Sequence, residues 1–164
     1  MRPAGDSNDG ERRVEQSAEI ERAVGLIEGA IAGLGVDAET VRVEAPPGNL
    51  RAWSLRRGSA GVAVFVRAPK DGEPAPWLRV AAPIVVADPA NELALYKKLL
   101  ELNARGLGAV EFGALDGRVM VVAERRTVDL EPTEVGWLIE RVGVVADHYD
   151  DTLIERFGGQ KVGG

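Results

Sequence analysis

Apolar residues recur along this chain at two spacings, and each change of spacing marks a new element. Ile20, Ala23, Val24, Ile27, Ile31 and Leu34 share one face of a first helix. Asn8 with Glu11 is a candidate cap for its start, and Gly35 sits where it should stop. Spacing two follows. Val62, Val64 and Val66 alternate with Ala63, Phe65 and Arg67, and Leu78, Val80, Ala82, Ile84 and Val86 repeat the alternation from Trp77 onward. Pro83 in the second run points to an edge, a bulge or an early strand end. Two strands are expected before these, near Val41–Ala45 and Leu50–Arg57, parted by Pro46-Pro47-Gly48, and Pro69–Pro76 reads as a polar loop.

A second helix is expected to open at Asp88-Pro89, with Asp88 capping and Pro89 in the first turn, and to close at Gly106. Ala109–Ala114 and Arg118–Arg125 then flank Asp116-Gly117, a pair that tolerates the positive φ of a tight hairpin. The last helix starts near Pro132 and buries Val135, Leu138, Ile139, Val142, Ala146, Tyr149, Leu153 and Phe157 before Gly158-Gly159 ends it. Strands grouped apart from helices, with no regular β-α alternation, predict an α+β fold on an antiparallel sheet. Residues 1–10 read as a disordered tail, 11–159 as a single domain, and 160–164 as a frayed end.

Composition narrows the function classes. The 164 residues are 45% hydrophobic and 28% charged, which suits one globular domain. A net charge of −6 argues against phosphate-driven nucleic-acid binding. No cysteine and one histidine remove thiolate and multi-histidine metal sites, so no cofactor or metal is expected. Residues 1–13 hold no apolar run, and Val80–Ala87 is too short to span a bilayer, so a cytoplasmic protein without membrane partners is expected.

Candidate chemistry is sparse. His148 lies in Asp147-His148-Tyr149-Asp150-Asp151, opposite the core stripe of its helix, where a solvated acidic helix end accounts for it better than a metal patch. Gly106 and Gly108 lack the strand-loop-helix order of a phosphate loop. Ser7, Ser17, Ser54 and Ser59 show no nucleophile elbow. No residue asks for an enzyme.

Surfaces say more. Gly25, Gly29 and Gly33 line the back of the first helix, through close approach of a partner or through a composition rich in glycine. Trp137, Val144 and His148 make an outward stripe on the last helix. Leu93, Leu95, Tyr96, Leu99, Leu100 and Leu102 cover about half of the middle helix, wider than one buried face requires. A second sheet face carrying Ala63, Phe65, Ala81, Val85, Met120 and Val122 is apolar for a solvated surface.

The second half carries a resemblance. Leu95-Tyr-Lys-Lys-Leu-Leu-Glu-Leu-Asn103, the Asp116-Gly117 hairpin, and Val145-Ala-Asp-His-Tyr-Asp-Asp-Thr-Leu-Ile-Glu-Arg-Phe-Gly158 resemble the YbjN-like family, also described as bacterial sensory transduction regulators, over residues 50 to 158. That resemblance implies the type III secretion chaperone-like fold: a curved antiparallel sheet with the first and last helices on one face. The middle helix lies elsewhere and, in the chaperones of that fold, helps to form a homodimer. Such proteins are acidic and non-catalytic, and they hold a client segment in non-globular form on apolar patches.

The expectation is therefore a non-enzymatic, chaperone-like or regulatory protein that binds a peptide or protein client, as a homodimer. Phe65, Val85, Leu95, Leu99, Leu102, Trp137 and Val144 are the residues expected at the client or dimer surface. The alternative is a small-ligand sensor or unrecognised enzyme with a pocket between the sheet and the middle helix.

Overall fold

The structure is a computed structural model that describes residues 6–70 and 72–162, with side chains from Val14 onward. Its order is α1 (Asp6–Gly33), β1 (Arg42–Val43), β2 (Asn49–Arg57), β3 (Ala60–Arg67), β4 (Trp77–Val86), α2 (Glu92–Arg105), β5 (Glu111–Leu115), β6 (Arg118–Arg126), α3 (Pro132–Phe157) and β7 (Gln160–Lys161). All strands join one antiparallel sheet, β1-β2-β3-β4-β6-β5, with β7 added beside β4. This is the expected α+β architecture.

Alternation sorts each strand into two faces, because successive side chains point oppositely and paired residues share a side. One face presents Trp53, Val64, Val80 and Ala123 in a single cross-strand row, each buried. Val135, Leu138, Ile139, Val142 and Ala146 of α3 lie over this face, at the helical spacing the sequence shows. α1 packs on α3 and β3 through Val24, Ile27 and Ile31. Burying side chains of this kind stabilises the fold by about 1.5–3 kcal/mol each.

α2 packs on β5 and the flank of α3, and it is tied to the sheet by one amide. Asn103 Nδ2 donates to the carbonyl of Phe112 at 3.0 Å, and its Oδ1 accepts the Phe112 N–H at 2.8 Å. The Asn side chain thus pairs with β5 as a neighbouring strand would. At the other end of β5, Asp116 (φ 50) and Gly117 (φ 72) make the left-handed turn expected between Leu115 and Arg118.

Several boundaries differ from the sequence reading. α1 begins at Asp6, so residues 6–10 of the expected tail are helical and Asn8 lies inside the helix rather than at its cap; residues 1–5 lie outside the described residues. α2 begins at Glu92 rather than at Pro89. Asp88 caps a turn instead, with Oδ1 accepting the Ala90 N–H at 3.0 Å and its carbonyl accepting that of Asn91.

Gln160 and Lys161 are also not frayed. They pair with Val86 and Val85, and the Val162 N–H donates to the Ile84 carbonyl at 3.0 Å. Gly159 permits this approach: with φ at 102°, any Cβ there would lie 2.3 Å from the Val86 carbonyl oxygen.

Candidate functional site

The face of the sheet turned away from α1 and α3 carries an apolar strip built from several strands. Its central rows run Ala52–Phe65–Arg79–Glu124 and Ser54–Ala63–Ala81–Val122–Glu111. Beside them lie Pro83 with Met120, and Arg67 with Trp77 and Arg126. Phe65, Met120 and Val122 are half-buried by their neighbours alone.

Arginines frame this strip. Arg79 Nη1 lies 2.7 Å from Glu124 Oε1 across the β4–β6 pair. Arg67 spreads over the Trp77 ring, 5.6 Å from its centroid, and forks onto Glu73 with both contacts at 3.0 Å. That fork, with the Lys70 N–H at 2.8 Å, holds the Glu73 carboxyl below its ordinary value. Arg67, Lys70 and Arg79 line a depression of about 380 Å³ against the Pro47-Gly48-Asn49 turn. The sequence reading missed this basic end of the face, although Arg67 and Arg79 stand in the same alternation that singled out Phe65.

The residues expected at a binding surface divide. Trp137 and Val144 are 51% and 57% exposed, one above the other along the outer side of α3, with Arg141 and Glu140 between them. Phe65 lies on the open sheet face. Val85 does not: a bulge between Pro83 and Val85 shifts the alternation, pairs Val85 with the core residue Val119, and buries it completely.

Leu95, Leu99 and Leu102 are also inside, in the core shared with α3 and the sheet. The outer side of α2 belongs to Leu93 and Leu100, which are 82% and 69% exposed. The sequence assigned the wide apolar stripe to α2, but only packing says which leucines leave it. Gly25, Gly29 and Gly33 meet nothing within 4 Å among the described residues.

The acidic end of α3 is more than a solvated patch. Asp150 is 2% exposed and lies 2.8 Å from Lys161 Nζ and 3.2 Å from Ser59 Oγ. Asp147 accepts the Ser59 N–H at 2.9 Å and its hydroxyl at 2.6 Å, which hold its carboxyl below the ordinary value. The pair fastens the β2–β3 turn and β7 to α3. His148 stays exposed, edge-on to Tyr149 at 4.7 Å between ring centroids.

Between β6, Asn103 and the loop after α2 lies an open depression of about 370 Å³, walled by the Arg79–Glu124 pair and by Glu111. The Gly106–Gly108 segment beside it is tethered rather than poised for an anion: the Leu107 carbonyl accepts from Arg141 Nε at 2.8 Å. Among the described residues, no cluster of His, Asp or Glu is arranged to hold a metal ion, and no helix is long and apolar enough to cross a membrane.

Residues 50–163 match the family described as T3SS (YopN, CesT) and YbjN peptide-binding chaperone 1. A chain of the ExsC-ExsE complex shares the fold with a TM-score of 0.58 at 15% identity, over 81% of this chain and 94% of that one. A chain of the heterodimeric ExoU-SpcU complex from the type III secretion system of Pseudomonas aeruginosa does so at 0.53 and 17%, over 79% and 98%. No curated protein matches the chain.

Proposed function

We propose, because this chain belongs to the family of T3SS and YbjN peptide-binding chaperones, that it holds an unfolded segment of a protein client on the open face of its sheet. The observation that carries this reading is the strip of Phe65, Ala63, Ala81, Val122 and Met120, which no helix caps among the described residues. Extended client segments bury apolar side chains there by the same transfer free energy that drives folding, about 25 cal/mol per Å² of apolar area. No covalent step is needed, which fits a chain with no cysteine and one exposed histidine. Two solved structures of this fold are themselves complexes of two proteins, which supports a holding role.

The same reading makes the protein a cytoplasmic homodimer. Leu93 and Leu100 stand one above the other on the outer side of α2, seven residues apart, as an apolar seam that solvent otherwise wets. A symmetric interface there places each seam against its copy and leaves the sheet face open.

The test is suppression of aggregation of a thermally unfolding reporter enzyme, measured by light scattering. The protein should delay aggregation, and Phe65→Glu should abolish the delay while its own unfolding midpoint stays near the parent's. A Phe65→Glu protein that protects as well as the parent removes the sheet face from the function.

A further inference from the structure

The open sheet face is the basic side of an acidic protein. Its strands place Arg56, Arg67, Arg79, Arg118 and Arg126 on that side against Glu111 and Glu124, and the β3–β4 loop adds Lys70 and the Glu73 that pairs with Arg67, which leaves a cationic excess in a chain whose net charge is −6. The cations are not scattered. Arg67, Arg79 and Lys70 gather at the depression beside the Pro47-Gly48-Asn49 turn, and Phe65 pairs directly with Arg79. Apolar strip and cationic hollow are therefore one continuous surface.

We propose that this face takes client segments that are acidic, with carboxylates interleaved among apolar residues, and that the Arg67–Lys70–Arg79 hollow receives a client carboxylate. This rests on the reading of the chain as a segment-holding chaperone. An extended segment turns alternate side chains toward the sheet. Apolar ones settle on Phe65, Ala63 and Ala81, and an acidic one reaches the hollow at the end of that strip.

Charge also decides between occupants. A second copy docking face to face would set one cationic face against another, and like charges across an interface are repelled. An acidic client meets the opposite sign. Glu124 and Glu73 mark the cost of entry: Glu124 already holds Arg79 at 2.7 Å and Glu73 forks onto Arg67 with both contacts at 3.0 Å, so each competes with a client carboxylate, and Lys70 is the cation of the hollow that neither of them holds.

The experiment uses the full chain and three rhodamine-labelled peptides: a Val-Glu-Leu-Ser repeat, and the same repeat with Gln or Lys in place of Glu. Fluorescence anisotropy should rank affinity Glu over Gln over Lys, with about tenfold between the first and last, and the gap should shrink as salt is raised. Arg79→Gln should lower affinity for the Glu repeat and leave the Gln repeat unchanged. Glu124→Gln should raise affinity for the Glu repeat, an outcome no folding defect produces. If the Glu and Gln repeats bind alike, or the Lys repeat binds best, the acidic preference is overturned while segment holding stands. If none of the three binds, the holding function itself fails.

Discussion

Asp150 and Lys161 join the last helix to the last strand: a carboxylate 2% exposed, with its only cationic partner among the described residues 2.8 Å away on β7. A buried carboxylate left without that partner keeps only Ser59 Oγ and the Asp151 N–H. Lys161→Ala is therefore expected to lower the unfolding midpoint clearly more than Lys97→Ala, whose side chain stands on the exposed side of α2. Amide exchange at Val162, which donates to Ile84, should speed up in parallel. Equal midpoints for the two variants would show that β7 is not held by this pair.

The pH dependence has two limbs. Asp150 holds the Lys161 ammonium above its ordinary value, so this contribution is present through neutral pH and is lost as pH rises through the raised value, above about 10.5. Ser59 holds Asp147 below its ordinary value, and Arg22 does the same for Glu19. Their contributions are present above about pH 4 and are lost as pH falls through the depressed values. Thermal midpoints measured across pH should form a plateau bounded by these windows, and Ser59→Ala should flatten the acid limb.

Asn103→Ala removes both partners of Phe112 at the sheet edge. The expected cost is about 1–3 kcal/mol in chemical denaturation, because the vacated N–H and C=O lie partly out of reach of water. The exposed β5 edge should also promote concentration-dependent association, read by light scattering. Asn103→Asp should restore only the Phe112 N–H contact and fall between.

Glycines in two helices should respond with opposite signs. An alanine Cβ at Gly143 would lie 2.5 Å from Arg57 Cβ, so Gly143→Ala is expected to destabilise by about 1–3 kcal/mol despite its better helix propensity. At Gly25 and Gly29 nothing lies within 4 Å, and alanine there should stabilise by about 0.5–1 kcal/mol each. A loss of stability at Gly25 or Gly29 would reveal a partner, such as a second copy, seated against α1.

Trp137→Ala separates a docking role from a core role. With the ring half exposed, truncation should cost little stability, and any change should appear in association with a client or copy. A collapse of the unfolding midpoint with association unchanged would place the ring's work in the core.

Periodicity alone located the helices and most strands, because core positions obey spacing whatever they pack against. The same alternation located Phe65 on the open face. It failed at Val85, where the bulge after Pro83 reverses the parity, a change that depends on how β4 pairs with β6. It failed again at Leu95, Leu99 and Leu102, because an apolar helix face does not say which part another element covers.

The acidic end of α3 shows the same limit for charge. Five neighbouring residues, Asp147 to Asp151, read as a solvated run, yet Asp147 and Asp150 secure a turn far earlier in the chain, at separations of 88 and 91 residues. The hollow of Arg67, Lys70 and Arg79 likewise forms only when β3, its following loop and β4 stand side by side.

Local pattern determined the three helices, the strands β1 to β6, their order and the antiparallel α+β class, because each of these depends on neighbours within one or two turns of chain, and composition alone removed thiol chemistry. Tertiary structure alone decided which apolar residues remain wet, which carboxylate is buried, and where the arginines converge. Those properties depend on what packs across the sheet, and no spacing along the chain encodes the distance between residues that only folding brings together.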